Sequence, residues 1–187
     1  MKRPRALAVN IFEHAECFYQ TLAVLRSVEA TVRAAGNLHA AVTLVEPVIS
    51  VGAFTTELFL KCLICIQGDD APPHHDLKRL FELLNDETQA RIQRMWEAEV
   101  VVKRRADWEG LKKFGLEVPD DLPSALAKGA KAFQRYRYSY EEGSTDGLHY
   151  YLEDLSALLE RIVLEMRPTF ETHRRRPIPL RLAELPE

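Results

Sequence analysis

Apolar residues recur along most of this chain at alternating steps of four and three, the period of a helix with one face against a core. Ile11, Ala15, Phe18, Leu22 and Leu25 make the first such stripe, and Gly36-Asn37 ends it, because glycine accepts the left-handed backbone that closes a helix. A second helix is predicted from about Thr43 to Gln67. Pro47 fits it only in the first turn, where a missing N–H costs nothing. This helix is apolar on most sides and is predicted to be the most buried element. Gly68-Asp69-Asp70-Ala71-Pro72-Pro73 reads as a loop. A third helical segment starts near His75-Asp76, either of which could cap it, with Leu77, Leu80, Phe81 and Leu84 on one face. Asn85-Asp86 interrupts it. Asp86 with Gln89 resembles a capping box that opens a further helix carrying Ile92, Trp96 and Val100.

The periodicity then weakens. From Lys103 to Pro123, with Gly110, Gly115, Pro119 and Pro123 as punctuation, an irregular excursion with room for a short helix is predicted. Ala125, Leu126, Gly129 and Phe133 resume the helical period, Glu142 to Gly147 reads as a turn, and Leu148, Leu152, Leu155, Leu159, Ile162 and Met166 form a last long helix that Pro168 stops. Strand alternation, internal repeats and low-complexity tracts are missing from the pattern. The predicted class is all-α: an antiparallel up-down helical bundle of four to five long helices over residues 1–168. Residues 169–187 read as a proline-punctuated basic tail, with Arg174-Arg175-Arg176, expected to be mobile or partner-bound.

Composition narrows the function classes. A chain of 187 residues with 47% hydrophobic content suits one domain with its own core. Charged residues at 28% and a net charge of -3 describe an ordinary surface rather than a basic nucleic-acid coat, while leaving room for local basic patches. The start lacks a signal-peptide pattern, and the most apolar run, Leu58 to Ile66, contains Lys61 and is too short to cross a bilayer. The expected location is cytoplasmic. Cys62-x-x-Cys65 lies inside an apolar helix, so it reads as core rather than as a redox or zinc motif. No metal and no cofactor are predicted.

Three segments carry candidate chemistry. Glu46, Ser50, Glu57 and Lys61 share one face of the second helix, either as its wet face or as charges kept at a cleft. His74-His75-Asp76 offers a helix cap or an imidazole that titrates near neutral pH. FQRYRYSYE, Phe133 to Glu141, interleaves arginine forks suited to phosphate with tyrosine faces suited to base stacking. Its structural alternative is a helix end with packed tyrosines and surface arginines.

In order along the chain, Ala53-Phe-Thr-Thr-Glu-Leu-Phe-Leu-Lys61, His75-Asp-Leu-Lys-Arg-Leu-Phe-Glu-Leu-Leu84 and Arg137-Tyr138 resemble the marks of a HEPN domain. The resemblance runs roughly from Ile11 to Met166, with an atypical insertion at Lys103 to Pro123. It implies a helical bundle that acts as a homodimer, binds nucleotide or RNA, and serves in toxin–antitoxin or defence systems, in some members beside a nucleotidyltransferase-type protein partner. Active members of that family are metal-independent endoribonucleases with an Arg followed after four to six residues by a His. Here Arg135 and Arg137 have no His after them until His149, while Arg33–His39 and Arg167–His173 match the spacing outside the expected helical context. The first reading is therefore a binding protein whose polar groove uses Glu57, Lys61, Arg135, Arg137, Tyr138 and Tyr140. The second is an atypical endoribonuclease in which Tyr140, Glu141 or His75 replaces the missing His beside Arg137. The third is a non-catalytic protein-interaction module.

Overall fold

The computed structural model describes residues 6–113, 118, 121–130 and 152–175. All regular structure among these residues is helical. In chain order the elements are α1 (Ala6–Ala34), α2 (Leu38–Thr43), α3 (Val45–Ile66), α4 (Leu77–Glu82) and α5 (Asp86–Met95). A π-helical segment (Trp96–Val101) then leads into α6 (Val102–Lys113), followed by α7 (Leu122–Gly129), α8 (Leu152–Met166) and a 3-10 segment (Pro168–His173).

α3 is the central element and packs most extensively against α1 and α8. Its buried residues face several directions, from Val48 and Ile49 to Phe59, Leu60 and Leu63, as expected of a helix apolar on most sides. Phe12, Ala15 and Leu22 supply the contact face of α1, and Leu155, Leu159 and Ile162 that of α8. Phe12 meets Phe59 at 6.2 Å between ring centroids, and Tyr19 meets the same ring edge-on at 6.0 Å. Thr56 and Ser156, both fully buried, share a 2.9 Å hydrogen bond across the α3–α8 contact, so these hydroxyls cost little to bury.

Local chemistry sets the boundaries. α1 and α3 close in the same way. Gly36 at φ +77° follows α1, and Gly68 at φ +102° follows α3. The next N–H then reaches back, Asn37 to the Val32 carbonyl at 2.9 Å and Asp69 to that of Ile64 at 3.2 Å. Pro47 sits in the first turn of α3, as its ring requires. The second helix nevertheless begins two residues later than its apolar pattern suggests, after a separate short α2 capped by the Asn37 side chain, which accepts from Ala40 N at 3.0 Å. α2 and α3 together form a run, Leu38–Ile66, with the length and apolar content of a membrane span, longer than the run from Leu58. Within its most apolar window 61% is buried inside the protein, which a central core helix also produces.

Three other expectations need correction. The cap of α5 is Asn85, which accepts from Thr88 N at 2.9 Å; Asp86 is the first helical residue, and Gln89 turns back to the Leu84 carbonyl at 2.6 Å instead of completing a capping box. The stretch from Lys103 is not irregular as far as Lys113, because α6 carries the helix on and buries Trp108. The tail does not leave the protein at His173. The 3-10 segment and Arg174-Arg175 lie against α1 and α8.

Candidate functional site

Glu57 lies on the buried side of α3 and is 1% exposed. Lys61, one turn later, donates to its Oε1 at 2.7 Å in the favourable Glu-to-Lys order. The Gly68 turn brings the following loop back along the helix. Asp76 ends that loop as the cap of α4, accepting from Arg79 N at 3.0 Å. With Asp76 so engaged, His75 turns to α3, where its Nδ1 lies 2.8 Å from the same Oε1 of Glu57. A carboxylate only accepts, so Nδ1 is the protonated nitrogen in this contact.

The second oxygen, Glu57 Oε2, is buried without a hydrogen-bond partner among the described residues, as is His74 Nδ1. A buried acceptor left open carries a desolvation cost of about 1–3 kcal/mol. The polar stripe of α3 therefore divides. Glu46 is exposed and Ser50 half-buried, while Glu57 is buried and its partner Lys61 nearly so, with 2% and 12% of their side chains exposed. The wet-face reading holds for the start of the stripe and fails at Glu57.

α7 ends beside this cluster. The backbone N–H of Leu77, two residues after His75, donates to the Ala130 carbonyl at 3.1 Å. Phe133, the start of the Arg/Tyr stretch, follows three residues later in the sequence. The candidates Arg135, Arg137, Tyr138, Tyr140 and Glu141 lie outside the described residues, as do Phe133 and His149. Of the sequence candidates, the structure thus brings Glu57, Lys61 and His75 together.

The two Arg–His matches elsewhere serve other contacts. Arg33 closes on Glu29 at 2.6 Å while His39 is exposed on α2. Arg167 donates to the Ile66 carbonyl at 3.3 Å, and His173 meets Glu13 at 2.7 Å. Cys62 is buried with its thiol near the Ala8 carbonyl, and burial pushes that thiol well above its usual range.

Two charged groups escaped the sequence reading. Glu153 and Asp154, in the first turn of α8, are bound by Arg26 from α1 and by Lys103 and Arg104 from α6. Lys103 Nζ lies 2.7 Å and Arg104 Nε 2.6 Å from Asp154, and both Arg26 and Arg104 also pair with Glu153. Nearby, Glu16 of α1 and Glu160 of α8 lie buried next to each other beneath Arg174. A cavity of about 330 Å³ opens between these groups, with Tyr19 and Glu160 in its lining and Lys103, Arg161 and Arg174 around it. Each of those three cations is paired with a carboxylate, at Asp154, Glu99 and Glu160. The sequence did hold a signal for the second group: Glu16 and Glu160 fall on the apolar stripes of their helices, where a charge needs a partner. Comparison with family models, with curated proteins and with solved structures finds no match for this chain.

Proposed function

We propose that this chain is a HEPN-like protein, an antiparallel bundle of four to five long helices acting as a homodimer, that binds nucleotide or RNA in a polar groove starting at Glu57 and Lys61. The observation that carries this reading is the convergence of two separated family segments on one buried carboxylate that keeps an open acceptor oxygen among the described residues. Arg135, Arg137, Tyr138 and Tyr140 complete the groove in this reading, holding phosphate by guanidinium forks and bases by stacking. The contact between Leu77 and Ala130 supports it, because the Arg/Tyr stretch follows directly in sequence. Arg137→Ala is expected to weaken binding of a fluorescein-labelled single-stranded RNA about tenfold, a loss of about 1.4 kcal/mol, read by anisotropy at fixed salt. Unchanged affinity removes the reading.

The His75–Glu57 contact favours a second reading, the atypical metal-independent endoribonuclease. An imidazole oriented by a carboxylate is the arrangement that general acid–base catalysis uses. RNA incubated with the protein in EDTA is then expected to be cut, with at least a hundredfold loss of rate in His75→Ala, in keeping with the ~10²–10⁴-fold contribution of a positioned acid or base. Intact RNA leaves binding alone, and cleavage indifferent to His75 takes that role away from the imidazole.

A further inference from the structure

The 3-10 segment and the two residues after it form a strap that contacts both α1 and α8. Phe170 anchors its start against Phe12, with ring centroids 5.3 Å apart. Its far end is polar. His173 meets Glu13 at 2.7 Å, Arg174 Nε donates to Glu160 Oε1 at 2.8 Å, and the backbone N–H of Arg175 donates to Glu16 Oε2 at 3.1 Å.

Beneath the strap lie Glu16 and Glu160, 0% and 3% exposed, held by its adjacent residues Arg175 and Arg174. Two carboxyls this buried do not both stay ionised beside a single guanidinium, so one of them carries a proton. Glu16 Oε1 meets no N–H or hydroxyl donor among the described residues, which fits a proton held on that carboxyl. The charge balance agrees. Among the described residues Arg174 is the cation that sits on the pair, and Glu171 of the strap adds negative charge beside it. Tyr19, pushed up to about 12 by burial and then by Glu160 and Glu16, stays neutral and adds no charge of its own.

We propose that residues 168–175 form a proton-operated latch, docked across α1 and α8 while one of Glu16 and Glu160 holds a proton and loosened as that proton is lost to solvent. Its release would uncover Glu160 in the cavity lining and carry Arg174 away from it. The sign follows from linkage. Burial, with a contribution from the Glu160 charge, pushes Glu16 from its ordinary 4.5 up to about 7, against the pull of the Arg175 N–H and Arg174. Lifting the strap returns both carboxyls to water and towards ordinary behaviour, so the docked state holds the proton more tightly. Docking is strongest below about 4.5, weakens as pH rises to about 7, and levels off above that.

Hydrogen exchange of a peptide covering 168–175, corrected for intrinsic exchange and referenced to α3 amides, tests this between pH 4.5 and 8. The expected result is an opening constant that rises at least about tenfold up to pH 7 and then flattens. A flat profile in the unaltered protein overturns the latch. Glu16→Gln cannot ionise, and its profile is expected to be flat; the wild-type slope persisting in it also overturns the proposal. His173→Asn separates the Glu13 contact from the carboxyl pair and is expected to keep the slope. Loss of the slope in that variant assigns it to His173 and equally overturns the latch.

Discussion

Trp96→Ala is expected to lower the free energy of unfolding by about 3–5 kcal/mol, the range for removing a buried aromatic side chain. Trp96 is fully buried and is among the largest side chains in the core. It begins the π-helical segment that joins α5 to α6, and its ring lies 6.1 Å from that of Trp108 at an interplanar angle of 31°. Truncation therefore opens a cavity under both helices and removes the surface that holds α6. Neighbouring Val102, 60% exposed, provides the contrast: Val102→Ala is expected to stay within about 0.5 kcal/mol. Urea unfolding followed by circular dichroism reads both. The chain has two tryptophans, so the fluorescence of Trp108 in Trp96→Ala also reports whether α6 has become wet. A loss below about 1 kcal/mol would contradict the core position of Trp96.

The same region explains where periodicity was a good guide and where it failed. Ile92, Trp96 and Val100 are buried as the apolar pattern predicts. Four residues further on, the inward position is Arg104, and four beyond that is Trp108. Arg104 has 17% of its side chain exposed and is held by Glu153 and Asp154. Its place in the helix depends on carboxylates about fifty residues away in the chain, which no local window contains, so α6 looks irregular in sequence. Glu16 and Glu160 present the same difficulty, because each makes sense only beside the other and Arg174. The docked start of the tail follows from these pairs too. Helix ends were easier to read, since Gly36, Gly68 and Asp76 act through neighbours a few residues away. The misassigned cap at Asn85 is a one-residue error between two side chains with the same capping chemistry. In the candidate site, Glu57, Lys61 and His75 were legible as motif positions, but not the burial of Glu57 that sets its pairs apart from surface ones.

That burial makes Lys61→Met the second substitution with a large expected effect, a loss of about 3 kcal/mol in stability. Breaking a buried ion pair costs ~3–5 kcal/mol, because the remaining charge stays desolvated. Glu57 would keep His75 as a partner on Oε1, which places the loss near the lower end of that range. Removing both charges has a different outcome. In Glu57→Leu with Lys61→Met, no charge is left stranded and the volume is nearly kept, so the double variant is expected within about 1 kcal/mol of the parent. The pair therefore shows strong non-additivity in a double-mutant cycle. If Lys61→Met costs less than about 0.5 kcal/mol, Glu57 and Lys61 behave as an exposed pair and the cluster is not the desolvated site described above. If the single variant is unstable, the double variant stable, and RNA affinity lost only where Glu57 is replaced, then this carboxylate is kept at a cost to the fold for the ligand its open oxygen would accept.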